Sequence, residues 1–340
     1  MTISDQTFGP APAILGDWFS RNRRDLPWRT PPGTPRDPWR TLVSEVMSQQ
    51  TRLDVVVPRF REWMILFPSP ADLAKAPEED VLSAWAGLGY YSRARNLRKA
   101  AIHLTENGWP RTSAELGMLP GIGPYTAAAI ASLAFGERVA MVDGNVQRVL
   151  SRLVALESDP RSGPGARAIA KLATEWVSRG DAGLWNEATM ELGAMVCTPR
   201  NPDCPNCPLS DLCRATALGE PGRFPPPRRH PEKLVIQRTV VVVEDSAGIL
   251  LRVSAPDELL SGLWILPGRD DHPGLEFHGR PLGEVRHSIT HHDVRWTVVR
   301  GRWTGGPLPA EWIRCPRHEL SRRIVSSLPR KALALAGIGL

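Results

Sequence analysis

The chain has 340 residues, room for about two domains at roughly 150 residues each, and 42% of them are hydrophobic, too many for a disordered chain. Its formal charge is +6, and 37 of its 42 basic residues are arginine, the planar side chain suited to bidentate phosphate contacts, so nucleic acid is the first partner to test. No apolar run reaches the roughly 18 residues of a membrane span, no signal peptide is read at the start, and five cysteines without an export signal point to a reduced, cytoplasmic setting.

Most of the first 220 residues have helical periodicity. Leu42, Val43, Val46, Met47, Leu53 and Val57 recur at helical spacing. Residues 96–105 read as a helix that stops at Gly108. A helix over 113–118 is followed by Leu-Pro-Gly-Ile-Gly-Pro-Tyr-Thr at 119–126 and a small, apolar run at 127–135. Gly121 and Gly123 permit a tight turn, and Pro124 suits the first position of the next helix. This is a helix–hairpin–helix pattern, whose free backbone N–H groups at Gly121, Ile122 and Gly123 can hold a phosphate oxygen without reading sequence. An amphipathic run at 146–156 follows Asp143, which is placed to cap it.

Cys197, Cys204, Cys207 and Cys213 lie within seventeen positions, spaced C-x6-C-x2-C-x5-C. Four thiolates can converge on tetrahedral zinc or on an iron–sulfur cluster. A zinc ribbon shows two C-x2-C knuckles, and only one is present, which favours iron–sulfur. Cys315 stands apart. A Pro/Arg-rich stretch at 220–230 reads as a semi-rigid spacer. Beyond it, 234–244 and 249–253 flank a turn at 245–248 and read as a β-hairpin, 296–300 as another strand, and 319–340 as a helical tail.

The hairpin, the Val-Asp turn and the cysteine loop, in that order, resemble the helix–hairpin–helix DNA glycosylase superfamily, in its endonuclease III branch, over roughly residues 15–215. Ser44-Glu45-Val46-Met47-Ser48-Gln49-Gln50-Thr51, Arg24-Asp25-Leu26-Pro27-Trp28-Arg29, residues 85–93 and Asn186-Glu187-Ala188 resemble the motifs of MutY-type adenine DNA glycosylases. The resemblance implies a multidomain α and α/β chain. An all-α, two-lobed glycosylase domain with a 4Fe–4S loop would occupy 1–216, a linker 217–233 and a small Nudix-like α+β domain 234–340. It implies a monomer acting on double-stranded DNA that carries 8-oxoguanine·A or G·A mispairs, with no membrane partner.

The resemblance also implies roles for residues. Endonuclease III-type enzymes carry a lysine where this chain has Tyr125, and that lysine forms a Schiff base; tyrosine implies base excision alone. Glu45 sits at the edge of an apolar helix face, where partial burial would keep it protonated for adenine N7. Asp143, beside helix N–H groups, would stabilise or trap the oxocarbenium-like sugar. Glu45 would also handle the water, with Asn145 and Tyr125 orienting the aspartate. Gln50 and Tyr90 would wedge into the duplex near the orphan base left when the target is extruded, and Arg24, Trp28, Arg29 and Glu187 would line or support the base pocket.

Two departures stand out. Ser48 replaces the family's usual leucine. Ile289-Thr290-His291 stands where the family's 8-oxoguanine loop has Phe-Ser-His, keeping a hydroxyl and losing the aromatic ring. Gly262-Leu263-Trp264-Ile265-Leu266-Pro267-Gly268 resembles a Nudix-like segment, but the pyrophosphatase box is absent. A thymine or uracil mismatch glycosylase and a non-catalytic lesion-binding iron–sulfur protein are the alternatives. The charge excess lies entirely in residues 223–340, since 1–222 carry 24 basic and 24 acidic side chains. The DNA grip of the neutral part is therefore expected from Arg21, Arg23, Arg24 and Arg29 and from Arg93, Arg95, Arg98 and Lys99.

Overall fold

The computed structural model describes residues 8–31, 34–178, 180–227, 233–289 and 291–340. It divides into two compact units, 1–75 with 96–229 and 76–95 with 230–340. A short stretch of the helical sequence thus belongs with the C-terminal region, a partition that a contiguous boundary near 217 does not anticipate.

The first unit is helical among the described residues. Buried apolar side chains of α1 (Ala11–Asn22), α9 (Gly144–Val154), α10 (Gly163–Val177) and α11 (Ala182–Met195) form one core around Phe19, Leu150, Trp176 and Leu192. A second group comprises α2 (Pro38–Ser48), α3 (Leu53–Leu66), α7 (Ser113–Leu116) and α8 (Pro124–Phe135), with α4 (Pro70–Lys75) and α6 (Ser92–Asn107) between in sequence; α12 (Arg214–Ala217) follows the cysteine loop. Helix α8 is buried on nearly every side, which explains its run of alanines: it packs against α2, α7 and α11, and small side chains let backbones approach. The periodicity shared by Leu42 and Val57 belongs to two helices, broken at 49–52, where Gln50 adopts φ 55°.

The hairpin forms as the pattern requires. Thr112 and Glu115 cap α7 reciprocally, and Gly121 turns the chain with φ 74°. A Cβ there would lie 2.5 Å from Asn96 Cβ, so both conformation and space demand glycine.

The second unit contains α5 (Glu78–Ala84) and a sheet whose strands are β1 (Leu234–Asp245), β2 (Gly248–Val253), β3 (Trp264–Ile265), β4 (Leu275–Ile289), β5 (His292–Trp303) and β6 (Trp312–Cys315). The order is β3-β2-β1-β5-β4, with β6 on β2; β1 and β5 run parallel, and the other pairs are antiparallel. Strands β1 and β2 make the expected hairpin, with Asp245 opposite Gly248. The tail holds two short helices, α13 (Leu320–Arg323) and α14 (Ser327–Leu335), where one helical segment was expected. The fifteen-residue β4 is unanticipated: most of it is exposed, so it lacks the apolar alternation by which strands are read.

Candidate functional site

A cavity of about 930 Å³ opens in the first unit. Its walls come from the loop carrying Arg24, Trp28 and Arg29, from the end of α2 with Glu45, Ser48 and Gln50, from the hairpin with Gly121, Gly123 and Tyr125, and from Asp143, Asn145 and Glu187. Eleven of the residues singled out for catalysis, base binding and phosphate contact therefore line one space, although they are spread over more than 160 positions.

Glu45 is half-buried on α2, among the buried Leu42, Val43, Val46 and Met47. Burial pushes its carboxyl up to about 7; a hydrogen bond from Tyr125 and the charge of Arg36 oppose the rise, while Asp143 and Glu187 add to it. The Tyr125 hydroxyl also lies 3.5 Å from Met190 Sδ, and burial with the nearby Glu45 and Asp143 carboxyls drives its own pKa well above the usual tyrosine value.

Asp143 caps α9: one carboxylate oxygen accepts from the Val146 backbone N–H at 2.8 Å, the other from Asn145 Nδ2 at 2.8 Å. Asn145 Oδ1 in turn accepts from Arg148 Nη2 at 2.7 Å, and Arg148 donates to the carbonyls of Gly193 and Cys197. Helix α11 passes so close that a Cβ on Gly193 would lie 2.7 Å from Asn145 Cβ. The approach to Asp143 is pinned by the buried Asn186, which accepts from the Met141 N–H at 3.0 Å and donates to the Val139 carbonyl at 2.9 Å.

Arg24 and Arg29 are internal clamps, not free phosphate ligands. Both donate to Glu191, which is 1% exposed, and Arg29 also reaches Glu187 at 3.0 Å. Burial alone would raise the Glu191 pKa, but these bonds hold it down to about 2. Arg36 completes the set by pairing with Glu187. Arg23 donates to the Thr30 carbonyl, Arg93 to those of Leu88 and Gly89, and Arg95 to Glu78 and to the carbonyls of Ser261 and Gly262. Each of these arginines therefore has at least one N–H engaged within the fold. Trp28 is buried against Phe60, edge to face, with ring centroids 5.1 Å apart.

Arg36 and Glu191 were not singled out from the sequence, and Asn186 stands there only within a motif, with no role of its own. Glu191 had a signal, since it lies four positions after Glu187 on the same helical face. Of the remaining expected residues, Ile122 is buried in the hairpin, and Tyr90 and His291 lie in the second unit. Thr290 lies outside the described residues.

The four cysteines fit an iron–sulfur centre by their chemistry. Burial, with smaller contributions from Cys197, Cys213 and Cys204, pushes the Cys207 thiol up to about 12, so its thiolate needs a nearby cation. Arg152 approaches Cys197 Sγ at 3.3 Å and ties down the carbonyls of Thr198 and Phe224. Among the described residues, no three His, Cys, Asp or Glu side chains are placed to hold one metal ion; Cys197, Cys204, Cys207 and Cys213 would hold a cluster.

Comparison with known proteins agrees with this geometry. Residues 43–179 match the HhH-GPD superfamily base excision DNA repair protein family, and residues 197–213 the iron–sulfur binding domain of endonuclease III. The chain binds an iron–sulfur cluster. A Mycobacterium tuberculosis adenine DNA glycosylase is 40% identical over 233 residues, 65% of this chain and 75% of that protein. The chain belongs to the adenine DNA glycosylase family. A human member of this family is 45% identical over 209 residues, which cover 59% of this chain, and an Arabidopsis thaliana member 38% over 291 residues, which cover 74%. The chain spans less than half the length of those two relatives, 38% and 46%. Among solved structures, a thermostable thymine-DNA glycosylase aligns with TM-score 0.55 at 26% identity, over 64% of this chain and all of that one. A trapped endonuclease III–DNA covalent intermediate aligns with TM-score 0.52 at 25% identity, over 64% of this chain and 99% of that one. The superfamily's helical fold is therefore followed here by a sheet-containing C-terminal domain.

Proposed function

We propose that this protein is a monofunctional adenine DNA glycosylase that hydrolyses the N-glycosidic bond of adenine opposite 8-oxoguanine or guanine. The observation that carries the reading is the pairing of two carboxyl groups in opposite situations on one cavity. Glu45 holds a proton near neutral pH, whereas Asp143 accepts two N–H donors. Two carboxyls in unlike environments are the working pair for glycosidic bond cleavage. Glu45 gives its proton to adenine N7, and the electrons of the C–N bond leave with the base. Asp143 faces the cationic sugar, held by Asn145, and the water that adds to the sugar returns a proton to Glu45. No lysine lines the cavity among the described residues, in keeping with hydrolysis and without a Schiff base.

The cluster loop supports the cavity from behind through Arg148, which joins the Cys197 carbonyl to Asn145. When bound, the iron–sulfur group supplies the positive charge its thiolates need. The second unit, a mixed sheet with two C-terminal helices, is read as a Nudix-like domain. With Thr290, by its hydroxyl, and His291, it would recognise the 8-oxoguanine strand.

The test is excision from duplexes carrying adenine opposite 8-oxoguanine or guanine, read as alkali-sensitive cleavage of the adenine strand. Intact strands would refute the reading. Ser48 opens into the cavity where the family's usual leucine would fill it, which keeps thymine or uracil excision as a second reading. G·T and G·U duplexes in the same assay separate the two.

A further inference from the structure

Tyr90 projects from a strained turn. It has φ 48°, follows Gly89 at φ 70°, and is 40% exposed, whereas its neighbours Leu88 and Tyr91 are buried. Within the turn, Trp85 Nε1 donates to the Gly89 carbonyl at 3.0 Å, and Arg93 donates to the Leu88 carbonyl at 2.8 Å while lying over the Tyr90 ring at 5.5 Å. The turn is therefore internally braced, and its attachment decides where Tyr90 stands.

That attachment is to the C-terminal region. The Tyr91 hydroxyl donates to the Val325 carbonyl at 2.7 Å, a buried bond across 234 positions of sequence. Helix α5 packs on α13, with Arg322 paired to Asp80 at 2.5 Å and to Glu79 at 3.7 Å, and Arg323 to Glu79 at 3.6 Å. Arg95, past the far end of the turn, donates to the Ser261 and Gly262 carbonyls. The exposed ion pairs are individually weak. The buried hydroxyl–carbonyl bond is the specific one, since losing it strands a carbonyl without a partner.

We propose that the C-terminal region sets the position of Tyr90 on DNA, with Tyr91 as the positioning residue that ties the turn to Val325. The inference rests on the reading of Tyr90 as a residue that wedges into the duplex. It gives the C-terminal region a second route to the reaction, separate from any contact of its own with 8-oxoguanine. Removing that region would also take away the partner of the buried Tyr91 hydroxyl, so a truncation confounds the two routes and a point variant is needed.

The experiment uses the full chain with its cluster. In Tyr91→Phe, amide hydrogen exchange over residues 86–92 speeds up about five- to tenfold, with the core of α8 unchanged. On a duplex with 8-oxoguanine opposite adenine, Tyr90→Ala and Tyr91→Phe each weaken binding, and the double variant is no worse than Tyr90→Ala, because the positioning has nothing left to position. Exchange over 86–92 that matches wild type overturns the tether. Additive losses in the double variant overturn the route through Tyr90. A Tyr90→Ala variant that binds and cleaves as wild type overturns the wedge reading itself; the exchange result then shows whether the tether stands without it. Should Tyr91→Phe unfold, the charge swap Asp80→Arg with Arg322→Asp tests the same attachment: either single change speeds exchange over 86–92, and the pair restores it.

Discussion

Both units contain a cluster of arginines and carboxylates, and the two clusters end in opposite states. In the second unit, Arg238 and Arg252 enclose Glu258 and Asp271. Glu258 accepts from both arginines and from the Ala255 N–H, and Asp271 from both arginines and the Gly268 N–H. The hydrogen bond from Arg252, against the opposing effect of burial, holds the Glu258 pKa far below the usual carboxylate range. Two cations meet two anions, and the result is a fixed brace between loops. In the cavity of the first unit, Arg24, Arg29 and Arg36 are directed to Glu187 and Glu191, and Glu45 receives a tyrosine hydroxyl but no guanidinium hydrogen bond among those found. The difference teaches that similar residue types make a brace when every carboxylate has a charged donor, and an acid when one is left with burial and a neutral donor.

The sharpest way to break this comparison is to substitute one carboxylate in each cluster. Glu45→Gln should lower excision on the order of 10²–10⁴-fold while duplex binding and the unfolding transition persist. Glu258→Gln should leave excision intact and cost about 2 kcal/mol in urea unfolding, because it leaves buried guanidinium donors short of an anion. If the two variants exchange phenotypes, the assignment of acid and brace is wrong.

Next in size is Gly193→Ala. Its added methyl must displace Asn145, whose amide supports Asp143. A shift of about an ångström in a catalytic group costs up to about 100-fold. The expected result is a fall in single-turnover rate with duplex affinity nearly unchanged, and a wild-type rate would show that Asn145 is not needed in its present position.

The acid and the brace should also differ in pH dependence. The folded pKa of Glu45, about 7, lies above its ordinary value of 4.5, so the native state holds a proton there that the unfolded chain releases. Its contribution to stability therefore declines as pH rises from about 4.5 through 7, and the excision rate falls as pH rises through about 7. Glu45→Gln removes this slope. Glu258 has the opposite sign: its depressed pKa gives stability above its ordinary value of 4.5 that is lost progressively as pH falls below that value. Urea midpoints across pH for the two variants check both signs.

The local features were legible in the sequence: the hairpin glycines, the cysteine spacing and the capping Asp143 each depend on a few consecutive residues. Glu45 was legible as a residue near apolar neighbours, but its environment depends on Arg36 and Tyr125, which come from other segments. The arginine excess pointed to phosphate, yet Arg36, Arg148, Arg152 and Arg252 are buried and clamp carbonyls or carboxylates instead. Their partners lie as far as 151 positions away, where no periodicity reaches. Strand β4 escaped because residues 276–282 are all exposed and only the short stretch 283–289 alternates in burial. Residues 76–95 read as one more piece of the helical domain, and the bond from Tyr91 to Val325, with the ion pairs of Arg322, shows otherwise.

The finest adjustment is Tyr125→Phe. The tyrosine hydroxyl donates to Glu45 and holds its carboxyl lower than burial alone would. Removing the hydroxyl takes away the stabilised anion and leaves the apolar ring, so the Glu45 pKa should rise further above 7. The alkaline limb of the single-turnover rate then moves to higher pH, while the rate on the acidic side changes only a few-fold. Arg36→Gln would raise the same pKa by removing a charge, but it also removes one of the two ion pairs of Glu187 and mixes two effects; Phe at 125 isolates one. A limb that stays in place shows that the Tyr125 hydroxyl does not set the Glu45 pKa, and a limb that moves to lower pH shows that the hydroxyl stabilises the protonated carboxyl, reversing the direction of the bond.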